Sequence, residues 1–235
     1  MPVDANGRAD PRISAPKMGE YLEATASRRE RILRDQKFPQ TFITVRYGGA
    51  SDVIRRALLR GGGVRQELIA GALRLSRKPC ETRYDEEARD DSVLAVEFFI
   101  RSLPSLDLEG VESFLAGRSG LAQAVEDVRI SVYPVVLLKK RVRGQDRFGA
   151  LLPVFGKKAT LNERSGKAVA TMLYEGLAAS GLVPSSAVKP GLCLVVDVFR
   201  EQVYEAPSSR VRLLGDIRSA CREIAVRWPS IRRVA

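Results

Sequence analysis

The chain has 235 residues, 45% of them hydrophobic, which is enough to bury a substantial core and excludes a disordered polymer. Lysine and arginine number 39 against 28 acidic residues, and the formal charge of +11 calls for a polyanionic partner, nucleic acid first of all. With no histidine, and with Cys80, Cys193 and Cys221 odd in number and lacking a CxxC pair, the sequence excludes His-dependent triads, imidazole acid–base chemistry and a zinc site.

Residues 1–12 hold prolines and glycine without an apolar period and read as a flexible leader. No apolar run approaches the roughly 20 residues that span a bilayer and the N-terminus is no secretory signal, so a cytoplasmic location without membrane contact is expected. From Ser14, Met18, Tyr21 and Leu22 recur at helical spacing, and Ser27-Arg28-Arg29-Glu30 has the form of a capping box. Two short helices or one bent helix fit residues 14–36. Val45 to Arg60 forms an amphipathic helix ended by Gly61 to Gly63, and that triplet lacks the lysine of a phosphate loop. Helical periods return over Gly63 to Leu75 and over Asp85 to Leu103.

Near Val125 the period changes to that of strands. Val128 to Leu138 reads as one strand, Lys139 to Arg147 as a charged hairpin loop, and Phe148 to Phe155 as the partner strand, with Pro153 marking an edge or bulge. Thr160 to Ser180 is the next helix, opened by a capping box at Thr160. Leu192 to Phe199 has the continuous apolar character of a strand buried on both faces. Val203 to Ala206 completes a hairpin and offers an edge for a homodimer, and a last helix capped by Ser208 or Ser209 runs through Leu214, Ile217, Cys221, Ile224 and Trp228. The fold class is α+β: a mainly helical region over 13–120, then a β-β-α-β-β-α mixed-sheet core over 121–235, the two forming either separate domains or one continuous unit.

The order of strand hairpin, helix and buried strand over about the last 110 residues resembles the core of the PD-(D/E)xK nuclease superfamily, the fold of many restriction endonucleases. That resemblance implies an acidic residue on one strand and an E-x-K triplet on the next, holding Mg²⁺ and activating water. The corresponding segments read Pro134-Val135-Val136 and Gly149-Ala150-Leu151-Leu152-Pro153-Val154-Phe155, without carboxylates. The resemblance therefore implies a nuclease-like core that has lost its metal site. An active Mg²⁺ enzyme requires a migrated site built from Asp127, Asp146, Asp197 and Lys158, with Asp197, inside an apolar strand, as the leading metal ligand.

Arginine-rich clusters supply the phosphate-binding candidates: Arg28, Arg29 and Arg31; Lys139, Lys140, Arg141, Arg143 and Arg147; and Arg218 and Arg222 on one side of the last helix. The function expected is nucleic-acid binding, DNA or RNA, through backbone contacts, by analogy as a subunit of a phage, plasmid or defence system. The alternatives are the migrated-site nuclease and a protein–protein adaptor.

Overall fold

Alternation of side chains along the central strands sorts the apolar residues into two cores. The computed structural model describes residues 7–39, 46–115, 120–157 and 161–233. Helices α1 (Ala15–Glu23), α2 (Ala26–Lys37), α3 (Gly48–Arg60), α4 (Val64–Ser76) and α5 (Arg83–Ser102) fill the N-terminal half, and sheets dominate the C-terminal half, an α+β arrangement. A five-stranded sheet has the order β2 (Val111–Phe114), β5 (Val136–Val142), β6 (Gln145–Val154), β7 (Val188–Asp197), β8 (Gln202–Glu205). A smaller sheet has the order β1 (Arg12–Ser14), β4 (Val128–Val132), β3 (Leu121–Val125).

Strands β2, β5 and β6 pair antiparallel, while β7 lies parallel to β6 after crossing over through α6 (Glu163–Ala179). On one face, Val136, Leu138, Leu151, Leu194 and Val196 meet Ile54, Leu68, Val96 and Phe99 of helices α3 to α5. On the other, Leu137, Ala150, Leu152, Cys193 and Val195 join α1, α2, α6, the small sheet and α7 (Val211–Arg227). Each fully buried Leu or Val contributes about 1.5–3 kcal/mol, so the sheet's two apolar faces tie both halves of the chain together.

Several sequence expectations change in detail. The strand expected over Val128 to Leu138 is two strands in different sheets, because Pro134 in the connecting segment has no N–H for a ladder. The charged loop expected over Lys139 to Arg147 is strand up to a two-residue turn at Arg143 and Gly144, whose φ values of 50° and 77° suit the right-handed twist of a hairpin. Pro153 lies not at a sheet edge but in the central strand β6, opposite Val196 of β7, and stands beyond the last β5 partner, Val136 opposite Leu151, so no bond to β5 needs its N–H. The first segment forms two helices, and Thr25 rather than Ser27 stands at the N-cap of α2, without a side-chain cap hydrogen bond. Thr160 lies outside the described residues, and the capping box of α6 is made by Asn162 and Ser165. Arg210, not a serine, occupies the N-cap of α7. Ordered contacts begin before Ser14: the Arg8 N–H donates to the Lys37 carbonyl at 3.0 Å, and the Trp228 indole donates to the carbonyls of Arg8 and Ala9, both at 3.1 Å. Strand β8 ends its sheet and keeps a free edge among the described residues. No described helix is long and apolar enough to cross a membrane.

The parallel pairing of β6 with β7 shifts register between Phe148 and Ala150, where Gly149 passes directly against the backbone of Leu192. A Cβ there would meet the Leu192 carbonyl, a group that cannot swing aside. Gly149→Ala is expected to lower stability by about 3 kcal/mol; thermal unfolding with a Tm equal to the parent would contradict this packing.

Candidate functional site

Open sheets offer a crevice at the carboxyl ends of parallel strands, and here those ends carry Val154, Phe155, Gly156 and Lys157 on one side and Asp197 on the other. Tyr47, just before α3, stacks on Phe155 with ring centroids 5.1 Å apart and planes 14° from parallel. Phe199 meets the edge of Tyr47 at 5.7 Å and of Phe98 at 5.5 Å, and the Lys157 ammonium lies 5.5 Å from the Phe199 centroid. The crevice is thus floored by aromatic rings rather than by acids.

Two carboxylates with cationic partners stand near it: Asp91 of α5, whose oxygens are taken by Arg46 and Lys157, and Glu20 of α1, held by Lys17 and Arg28. The Ser92 hydroxyl donates to the Arg46 carbonyl at 3.0 Å, fastening the same segment to α5. Burial pushes the Asp91 carboxyl upward, but the hydrogen bonds from Lys157 and Arg46 outweigh it and hold the group below the ordinary carboxylate range. Asp91 and Arg46 were not singled out by the sequence. The available signal was a carboxylate on the apolar stripe of α5, beside Ser92, Ala95, Val96 and Phe99.

Asp197 is fully buried at the end of β7, and its Oδ2 accepts the Leu161 N–H at 2.9 Å. The Tyr204 hydroxyl donates to the Leu161 carbonyl, also at 2.9 Å, so one residue at the entrance to α6 is held from both sides. Burial pushes the Asp197 carboxyl above its ordinary range, against the pull of the Leu161 N–H and of the charge and backbone of Arg200. No arginine of α7 pairs with it among the described residues.

The other acids proposed for a migrated site do not join it. Asp146 stands near the hairpin turn, and Asp197 lies beside Val154 at the far end of the same strand, a separation of about 26 Å at about 3.3 Å per residue. Asp127 is exposed in the turn between β3 and β4 of the smaller sheet, and Lys158 lies outside the described residues. No three acidic or thiol side chains converge among the described residues. Mg²⁺ is held by one or two carboxylates with room for its remaining waters; Asp91 is taken by two cations and Asp197 is fully buried with Oδ2 on the Leu161 N–H, so this donor set does not fit it.

The basic clusters differ in what they leave free. Arg28 is paired with Glu20 and Arg29 with Glu223 at 3.1 Å, with its guanidinium 5.1 Å from the Tyr21 ring centroid, whereas Arg31 is exposed and without an ion pair among the described residues. On α7, Arg222 reaches Glu126 at 3.5 Å, and Arg218 is exposed and without an ion pair among the described residues. On the hairpin, Lys140 meets Asp107 at 3.1 Å and Lys139 meets Asp146 at 3.3 Å. Arg141, Arg143 and Arg147 have no ion pair among the described residues. Compared with models of known protein families and with curated proteins, the sequence matches none.

The two buried carboxylates should respond oppositely to substitution and pH. Asp91, held low, stabilises the fold above the ordinary carboxylate range, and its contribution disappears as pH falls through its folded-state value. Asp91→Asn should cost about 1 kcal/mol at pH 7, reduced by the solvent exposure of its partners, and flatten the acid limb of a Tm–pH profile. Asp197, held high, opposes folding as pH rises above the ordinary carboxylate range. Asp197→Asn keeps an oxygen for Leu161 and should match or exceed the parent Tm at pH 7, with the advantage gone near pH 4. A lower Tm for the asparagine variant across the whole range would contradict the isolated, burial-raised carboxyl.

Proposed function

We propose that this chain is a nucleic-acid-binding protein with a nuclease-like core that does not cleave, and that it grips phosphates through arginines. The observation that carries this reading is the set of unpaired arginines, Arg141, Arg143 and Arg147, gathered on one hairpin of a chain with a charge of +11. Guanidinium groups without an internal carboxylate are available for bidentate contact with phosphate, Arg147 after release from Gln145 Oε1, and each contact releases counterions.

The resemblance to PD-(D/E)xK nucleases is supported by the order of elements: α5, the antiparallel strands β2, β5 and β6, then α6 and the parallel strand β7. The hairpin of β3 and β4 interrupts that order between β2 and β5. The loss of activity is supported by Val135, Leu151, Pro153 and Phe155 standing where the family carries its acids, and by Asp91 being neutralised by two cations. A cytoplasmic location accords with three free cysteines, two of them buried, including Cys193, whose thiol burial pushes up to about 12. A protein–protein adaptor is the second reading, favoured by Ile69 and Leu73, half exposed one turn apart on α4.

Binding of labelled duplex DNA, single-stranded DNA and RNA, titrated with salt in EDTA and in Mg²⁺, tests the proposal. The expected result is binding that weakens steeply with salt and leaves the nucleic acid intact in both buffers. Mg²⁺-dependent shortening would restore the active nuclease, and absence of binding at low salt would leave the adaptor.

A further inference from the structure

The hairpin that carries these arginines, none in an ion pair among the described residues and Arg147 hydrogen-bonded to Gln145 Oε1 at 2.6 Å, is also the part of the sheet that extends beyond its neighbours. Strand β2 first pairs with β5 at Val111 opposite Lys140, and β7 first pairs with β6 at Val188 opposite Phe148. Between those limits, Arg141 to Arg147 is a two-stranded ribbon bonded only to itself, with Arg141 to Asp146 exposed. It rises about 10 Å above its flanking strands, at about 3.3 Å per residue.

Cross-strand register fixes where the charges face. Arg141 lies opposite Asp146 on the face shared by Lys139 and Phe148, and Arg147 lies opposite Lys140 on the other face. Asp146, the ribbon's own acid, is engaged by Lys139 at 3.3 Å. Arg143 sits at the tip with φ of 50°, a left-handed conformation that favours glycine, asparagine or aspartate. An arginine placed there serves the charge of the tip at the expense of turn geometry.

Resting on the nucleic-acid-binding function proposed above, the geometry points to insertion of this ribbon into the major groove of B-form duplex DNA, with Arg141 and Arg147 directed at the two phosphate walls and Arg143 at the groove floor. The B-DNA major groove is about 12 Å wide and about 8.5 Å deep and admits a two-stranded ribbon, whereas the minor groove is only about 6 Å wide. The deep, narrow major groove of A-form RNA excludes side chains, so duplex RNA does not fit the same ribbon. The surface is distinct from the crevice at the carboxyl ends of β6 and β7, which lies at the opposite end of β6.

The test uses the full chain and fluorescently labelled duplex DNA, with methyl green as a major-groove competitor and netropsin as a minor-groove competitor. The expected results are displacement by methyl green and not by netropsin, and weaker binding of duplex RNA. Arg143→Gly should keep or raise Tm because glycine accepts the turn conformation, yet weaken DNA binding. The combined Arg141→Gln, Arg143→Gly, Arg147→Gln variant should lose at least about tenfold in affinity and flatten the log–log salt slope by about 2 to 3. DNA binding by the parent that is displaced by netropsin, or is unaffected by the arginine substitutions in a folded variant, overturns the ribbon while leaving nucleic-acid binding intact. Absence of binding to any nucleic acid at low salt overturns both.

Discussion

The parallel pairing of β6 with β7 is the constraint on which the rest of the structure depends. A parallel neighbour requires a crossover, supplied by α6, and it places β6 between two strands with helices against both faces. Residues Ala150 to Val154 are therefore buried and apolar, as strands covered on both sides must be. A carboxylate inside that stretch would need a partner or a metal to offset its desolvation. The chain instead places Asp91 between two cations from neighbouring segments and uses Asp197 to hold the backbone before α6. The same strand leaves its buried environment at Phe148, where β7 begins, and from there to the turn it is charged and exposed.

That division explains how the cationic excess is used. On α2 and α7 many arginines are consumed by Glu20, Glu30, Glu126 and Glu223, and such exposed pairs contribute modestly to stability. Lys37 is buried and donates to the carbonyls of Trp228 and Ile231 at 2.8 and 3.1 Å, joining the end of α2 to the C-terminal segment. The hairpin has fewer acids than bases; Arg141 and Arg143 are exposed, and Arg147, half-exposed, donates to Gln145 Oε1. Charge composition alone therefore overstates the cationic surface left without ion pairs, which among the described residues includes the three hairpin arginines together with Arg31 and Arg218.

Elements with long apolar periods were legible in the sequence. The helices now seen as α3 to α7 follow from spacing, as does the buried strand read over Leu192 to Phe199, which spans Val188–Asp197, and the Gly61 terminator has φ of 75°. Short strands were not: Val111–Phe114 and Leu121–Val125 are four and five residues long, too short for alternation to stand out. The hairpin was read as loop because its residues are charged, yet a free ribbon exposes both faces and has no apolar side to display. Asp197 was legible as an acid inside an apolar strand, but the Leu161 N–H that meets it was not, since a backbone donor from a distant segment leaves no trace in side-chain identity. Asp91 was missed because the charges that neutralise it come from Arg46 and Lys157, remote in sequence from α5.

The central claim is that nucleic acid meets this protein at the free end of the β5–β6 hairpin and not at the carboxyl ends of β6 and β7. Backbone hydrogen exchange measured with and without duplex DNA reads both ends of the sheet in one experiment. The account predicts slower exchange on binding confined to peptides that cover Lys139 to Phe148, with Phe155, Leu161 and the start of α6 unchanged. Protection centred on Phe155 to Leu161, with the hairpin unaffected, would contradict it.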